Sequence, residues 1–481
     1  MQNTKISNNA FIKSILKFSI SSWVNFFLGL FAVIITTRLF TPDVYGSLNI
    51  FNNASSLTAY FSCLGLDGAF LRFFNEPPKG WNRKELFAKC LLISILVLVS
   101  ISAISLYFFY SRISLLLFNK ISIILPSFLA INSLSLLVLN NYFSQYYRLE
   151  NDSLHYTVQT VLVQFFSKLF VIAAAIISPT IEVVLFFNTI GLFCLMLIYT
   201  HLQRKLVWPD KYHWSNEGFG EVFRYGIYGW PLTIAGSANR FLLPFIIKNG
   251  LNSYALGIYA STGFFISAFN VVQNGFRTYW TSFMYAHYKD EQEKIVSVHR
   301  YIVLFAVFLM SGFILFQKVA YLLIGNEFQG SRVFFTLVLI DPLLQLVEQT
   351  TNYGMALAKR NEEMTLIYLS SIILNLILCY VFLSHWGLPG AAFASALTSL
   401  LRFIFSTWRG QRYYQSIGKI RQTTIGVSSI LILGISNFFF YDNLLMESAI
   451  VGIIWIFMGL SFQDTIKSLY LFLNNLLTKR R

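Results

Sequence analysis

Apolar stretches long enough to cross a lipid bilayer recur along the whole of this 481-residue chain. A spanning helix needs roughly 20 mostly apolar residues. About fourteen such runs can be marked, at roughly 18–38, 46–71, 90–111, 121–143, 155–177, 182–203, 222–247, 255–284, 301–324, 333–357, 365–384, 389–408, 423–440 and 448–466. They are continuous rather than alternating, which selects helices over the strands of a membrane barrel. Only 12% of residues are charged, against about 25% in soluble domains. The expected fold class is an all-α polytopic membrane protein with about fourteen transmembrane helices.

Lysine and arginine collect in alternate loops. With a cytoplasmic N-terminus, the cytoplasmic side holds Arg72, Lys79, Arg83, Lys84, Lys89, Arg148, Arg204, Lys205, Lys211, Arg224, Lys289, Lys294, Arg300, Lys359, Arg360, Arg409, Arg412, Lys419 and Arg421, and the tail adds Lys479, Arg480 and Arg481. The opposite loops hold little beyond Arg38, Arg112, Lys120, Lys248 and Arg332. Basic residues gather on the cytoplasmic side of membrane proteins, so both termini are expected there. The same bias explains the net charge of +15 without nucleic acid. The first run follows Lys5, Lys13 and Lys17 but is too long for a signal core and lacks a small-x-small cleavage site, so it reads as a retained span. The largest loop, at about 201–221, leaves no room for a folded catalytic domain. Cys63, Cys90, Cys194 and Cys379 form no CxxC pair and read as packed thiols.

An internal repeat is expected at a period near 210 residues. "RLENDSLHYTVQTVLVQFF" at Arg148 aligns with "RNEEMTLIYLSSIILNLIL" at Arg360, "FSISSWVNF" at Phe18 with "YGIYGWPLT" at Tyr225, and Tyr45-Gly46 with Leu256-Gly257. Such a period covers six spans, an even number, so the halves share one orientation. Parallel repeats are a transporter architecture with the substrate path between the halves. The expected organisation is an N-terminal six-helix lobe at 1–210, a second at 211–415, and two extra helices with a basic tail at 416–481.

Few ionisable residues lie inside the runs. A charge at the bilayer centre costs roughly 2.5–3.5 kcal/mol on insertion scales, so such residues meet a partner or a wet cavity. Arg240 is the sharpest case, in "GSANRFLLPF" between Pro231 and Pro244. Proline removes a backbone donor and bends the helix, and a guanidinium grips phosphate through a two-pronged fork. The expectation is a cavity cation; the alternative is an ion pair with Asp341 or Glu348. Arg277 and Lys168 are further candidate cavity cations, while Lys318 and Arg402 are expected to snorkel. Asp341, Glu348 and Asp67 are candidate coupling or charge-balancing acids, with Asp67 favoured as a helix-packing residue. There is no HExxH, Walker A loop or GxSxG, and the six histidines show no metal-ligand spacing. No catalytic residue, metal or cofactor is expected, and coupling to H+ or Na+ is left open.

The segment "ITTRLFTPDVYGSLNIFNNASSLTAYFSCLGLDGAFLRFF" resembles the start of bacterial polysaccharide flippases, through Arg38, Pro42, Tyr45, Gly46, Gly65, Leu66 and Arg72. "GLPGAAFASALTSLLR", with Gly390, Ala391 and Ala392, is similar to their twelfth-span signature. These flippases belong to the multidrug/oligosaccharidyl-lipid/polysaccharide exporter superfamily. The resemblance implies a transporter, not an enzyme, in a bacterial inner (plasma) membrane. It would move a polyprenyl-pyrophosphate-linked oligosaccharide, such as an O-antigen or capsule repeat unit, to the outer leaflet by alternating access. Its partners would be that lipid-linked substrate, membrane lipids, and the polysaccharide polymerase and chain-length machinery. The rivals, in order, are a peptidoglycan or teichoic-type precursor flippase, a drug or cation exporter of the same superfamily, and a membrane glycan polymerase.

Overall fold

The computed structural model describes residues 8–150, 152–207 and 218–467. The basic tail at 479–481 and part of the loop at 201–221 lie outside the described residues. Every described element is helical. The outer faces carry Phe31, Leu96, Ile176, Phe316, Leu366 and Ile456 in exposed positions. Soluble monomers rarely expose large contiguous apolar patches, so these faces are the lipid-facing surface of a multi-pass membrane protein. Among the described residues, nine helices are long and apolar enough to cross a membrane, or ten when one bent pair is counted.

Packing divides the chain into two compact units, Met1–Ala260 and Ser261–Arg481. The first contains α1 (Asn8–Leu39), α2 (Pro42–Ser62), α3 (Leu66–Phe73), α4 (Arg83–Phe108), α5 (Tyr110–Phe118), α6 (Ile124–Leu136), a π-helix (Leu137–Phe143), α7 (Ser144–Leu149), α8 (Ser153–Ile177), α9 (Ile181–Leu202), the short α10 (Arg204–Val207), α11 (Phe219–Gly250) and nearly all of α12 (Ser253–Ser261). The first unit extends past residue 210 because α11 packs on α2 and α3. The lobes expected from the repeat divide the sequence; the two units divide the packing.

The run expected as one span at 46–71 is broken. Leu64 and Gly65 have positive φ, 50° and 73°, and separate α2 from α3. A Cβ on Gly65 would sit 2.0 Å from the Gly226 carbonyl oxygen of α11, so this position needs glycine for both its backbone angle and its close approach. A second approach joins the starts of α2 and α12, where a Cβ on Gly257 would lie 1.9 Å from the Pro42 carbonyl oxygen and one on Gly46 would lie 2.7 Å from the Gly257 nitrogen. Gly46 and Gly257 are the glycines that the expected repeat makes equivalent.

The second unit contains α13 (Gly263–His287), α14 (Gln292–Leu323), a 3-10 helix (Asn326–Val333), α15 (Phe335–Thr351), α16 (Tyr353–Leu357), α17 (Asn361–Tyr413), α18 (Ile420–Phe440) and α19 (Leu444–Ser461). The 3-10 helix and α15 meet at 62°. Gly387 has φ 61° and ψ −144° inside α17, and the chain reverses there, since Arg409 reaches back to Glu363 at 2.7 Å. This reversal separates the two runs expected at 365–384 and 389–408. The two last helices, expected as a separate addition, belong to this unit because α18 packs on α14 and α15 and α19 on α18.

Candidate functional site

Polar residues of α2, α6, the π-helix and α11 converge on one void in the first unit; of these elements, only the run Ile124–Leu149 is among the helices apolar enough to cross a membrane. The void measures about 180 Å³ and is lined by Asn53, Ser56, Ala59 and Tyr60 of α2, Leu136 of α6, Asn140 and Asn141 of the π-helix, and Ser237 and Arg240 of α11. The α2 contributors recur at three- and four-residue intervals, which places them on one helix face. Ser237 and Arg240 are likewise three apart, and the Arg240 Nη2 donates to Ser237 Oγ at 3.4 Å.

The π-helix explains how two consecutive asparagines share this wall. Neighbours on an α-helix point roughly 100° apart. The wider π turn, rare and often found at functional sites, relaxes that separation. Its geometry is held from behind. Tyr142 is fully buried; its hydroxyl meets Ser94 Oγ at 2.6 Å and donates to the Cys90 carbonyl at 3.0 Å. Phe87 packs edge-on against the Tyr142 ring and tilted against Phe143. Gln159 of α8 donates to the Leu139 carbonyl at 2.8 Å. Asn141 Nδ2 lies 3.4 Å from Cys63 Sγ, which ties the π-helix to the break after α2. On the face leading to Leu136, Asn132 is fully buried, with neither amide atom hydrogen-bonded among the described residues.

Arg240 makes no ion pair among the described residues, and its side chain is exposed within the unit. The two acids named as its alternative partners, Asp341 and Glu348, are paired within the second unit. Arg402 of α17 donates through Nη2 to Asp341 at 2.8 Å and through Nε to Glu348 at 3.1 Å, both on α15. Its side chain is 12% exposed. Arg402 therefore does not snorkel, as the sequence suggested; two carboxylates hold it inside the second unit. Asp341 also accepts from Gln345 Nε2 at 3.0 Å.

The other expected cations do not join the Arg240 void. Lys168 is half-buried on α8, beside Ser167, which donates to Asn188 at 3.2 Å; Asn188 donates in turn to Asn52 of α2 at 3.4 Å. Arg277 is exposed on α13 in the second unit. Asp67 is half-buried in the first turn of α3 with no ion pair among the described residues, a position where a carboxylate complements the helix dipole. No group of three or more metal-ligating side chains occurs among the described residues.

A larger void of about 410 Å³ lies between the two halves of α17, lined by Leu366, Ile367, Leu374, Leu401 and Phe405 with Arg402 and Arg409. Both arginines are already paired there. The smaller void is the one with unspent hydrogen-bonding capacity. Sequence reasoning found Arg240 and missed Asn53, Tyr60, Asn140 and Asn141. The signal was present, since "NIFNNASSLTAY" and "VLNNYFSQ" put polar residues at helical spacing inside apolar runs.

No family model matches the chain, and no curated protein matches it. Solved structures do. A lipid II flippase, MurJ, in an inward closed conformation has 14% identity and a TM-score of 0.71, covering 93% of this chain and 99% of that one. An inward-facing multidrug resistance MATE family transporter of the MOP superfamily has 14% identity and a TM-score of 0.57, covering 81% and 95%. The MATE multidrug transporter DinF-BH has 15% identity and a TM-score of 0.57, covering 86% and 98%. At these identities the likeness is one of fold: this chain has the fold shared by MurJ and the MATE transporters.

Proposed function

We propose that this chain is a flippase that carries a polyprenyl-pyrophosphate-linked oligosaccharide repeat unit from the cytoplasmic to the outer leaflet of a bacterial inner membrane. It works by alternating access of two six-helix lobes, 1–210 and 211–415, with both termini in the cytoplasm and without covalent chemistry. Arg240 carries the reading. A guanidinium on α11, with no carboxylate partner among the described residues and a wall of amides and hydroxyls around it, suits an anionic oxygen-rich group. The void, at about 180 Å³, has the volume of roughly six waters. It accommodates a pyrophosphate rather than a sugar chain, so the oligosaccharide lies beyond it. Lys168 and Arg277 are further cations for the anionic substrate. The polymerase and chain-length machinery would receive the flipped unit.

The likeness to a lipid II flippase favours one second reading, a peptidoglycan-type precursor as cargo. It calls on the same phosphate chemistry at Arg240. The deciding measurement is the sidedness of lipid-linked oligosaccharide in cells lacking the protein, complemented with wild type or Arg240→Ala at equal expression. The expected result is oligosaccharide held on the cytoplasmic leaflet without the protein and with Arg240→Ala. Restored sidedness with Arg240→Ala would remove the arginine from the mechanism. Oligosaccharide that reaches the outer leaflet without the protein but stays unpolymerised would make the chain a polymerase instead. Normal oligosaccharide sidedness with trapped peptidoglycan precursor would select the second reading.

A further inference from the structure

The acids expected to carry a coupling or balancing charge, Asp341 and Glu348, are neutralised by Arg402. A different carboxylate is buried without a cation. Glu447, in the first turn of α19, is 1% exposed and forms no ion pair among the described residues. Its two oxygens accept from a single neutral donor, Gln317 Nε2 of α14, at 2.6 and 2.8 Å. The same nitrogen lies 2.8 Å from Asn437 Oδ1 of α18. An amide nitrogen has two hydrogens, so three oxygens share two donors. The amide is oriented by Arg332 Nε, 3.4 Å from Gln317 Oε1.

The charged groups around this cluster are occupied or exposed. Arg332, from the 3-10 helix, pairs with Asp442 at 3.2 Å and also donates to the Tyr441 carbonyl. Lys318, the other cation of α14 near Glu447, is exposed. Asn437 and Gln317 are fully buried and uncharged. The start of a helix favours a negative charge by about 0.3–1 kcal/mol. Burying an unpaired carboxylate costs several kcal/mol, which is more than the dipole returns.

We propose that Glu447 is a proton-binding site, neutral while α19 is closed on α14 and α18, and that its ionisation loosens this corner of the second unit. The chain Asp442–Arg332–Gln317–Glu447 links the site to solution, since the Asp442 side chain is 72% exposed. The site is built within the second unit alone and does not depend on what the chain transports.

The test uses the purified full-length chain in lipid nanodiscs, with thermal unfolding followed from about pH 5 to about pH 9. A carboxyl group neutral when folded and ionised when unfolded stabilises the fold at low pH, and that stability is lost as pH rises. The wild type should therefore lose stability with rising pH, and Glu447→Gln, which holds a neutral amide in the same place, should lose that part of the slope. An infrared band of a protonated carboxyl group at neutral pH, present in the wild type and missing in Glu447→Gln, would place the proton directly. Parallel unfolding curves for the two proteins, or the absence of that band from the wild type, would overturn the proposal. Gln317→Leu supplies an independent check, because removing the amide should strengthen the proton's hold and shift the wild-type slope to higher pH; an unchanged slope would count against the site.

Discussion

Arg240 and Arg402 are the same side chain in the same kind of place, and the protein treats them oppositely. Both sit on long helices, well away from their ends. Arg402 is clamped by two carboxylates from one neighbouring helix, and its guanidinium has spent its fork. Arg240 has a weak contact to one serine and a polar wall. A fully partnered buried ion contributes to structure, and removing one partner strands the other. A guanidinium without a carboxylate keeps its hydrogen-bonding fork free, which is the ground on which a ligand is proposed for Arg240. The difference teaches that depth in a helix does not identify a binding residue; the neighbours contributed by other helices do.

The largest effect should come from breaking the paired arginine. Arg402→Met leaves Asp341 and Glu348 without their cation, and should destabilise the protein by about 3–5 kcal/mol. Chemical unfolding of the purified chain measures it. Adding Asp341→Asn and Glu348→Gln should recover most of the loss, because the stranded charges, not the missing packing, carry the cost. If Arg402→Met alone unfolds like the wild type, the distinction between the two arginines collapses.

Arg240 should behave in the reverse manner. Arg240→Ala should leave unfolding within about 0.5 kcal/mol of the wild type, while weakening substrate binding by about 10- to 100-fold, the range for a lost charge-assisted hydrogen bond. Arg240→Lys sharpens this further. A lysine keeps the charge but presents a point rather than a fork, so it should retain part of the affinity, with about a tenfold loss if the phosphate is held in bidentate fashion. Binding of a polyprenyl pyrophosphate to the three proteins, read beside their stabilities, separates the roles. Equal affinity for Arg240→Ala and the wild type would return Arg240 to the structural class.

How far these roles were legible in the sequence follows from what each depends on. Helices were legible because apolar periodicity and length are local properties. The break at Gly65 was not, since it rests on a backbone angle; the reversal at Gly387 falls in the gap expected between the runs at 365–384 and 389–408. Arg240 stood out by its isolation within an apolar run. The carboxylates of Arg402 lie 61 and 54 residues away, and no local pattern says which of two arginines owns them. Asn140 and Asn141 were overlooked because a regular helix would send them in different directions, and only a π turn lets them share a wall. Glu447 fell at the marked edge of the last apolar run, where an acid reads as loop; α19 begins at Leu444 and carries it inside.

The smallest effect is expected where the same chemistry meets water. Asp152 caps α8, accepting from the His155 backbone N–H at 3.1 Å and meeting the His155 ring at 2.6 Å, with side chains 38% and 62% exposed. Slight burial pushes its carboxyl upward, but the His155 N–H and ring together outweigh this and hold it below the usual carboxylate range. A carboxylate depressed in the folded state stabilises above its ordinary value of about 3.9, and the benefit fades as pH falls through the folded value. Exposed pairs are screened, so the side-chain cap is the main contribution, and Asp152→Ala should cost about 1 kcal/mol near neutral pH. Hydrogen exchange at the His155 amide reports it, and the gap between wild type and Asp152→Ala should narrow in acid. Asp152→Asn, which keeps the accepting oxygen without the charge, should recover most of the gap and remove its pH dependence. A loss as large as that of Arg402→Met would mean that water does not weaken such contacts, and the large cost expected at Arg402 could not then be credited to its burial.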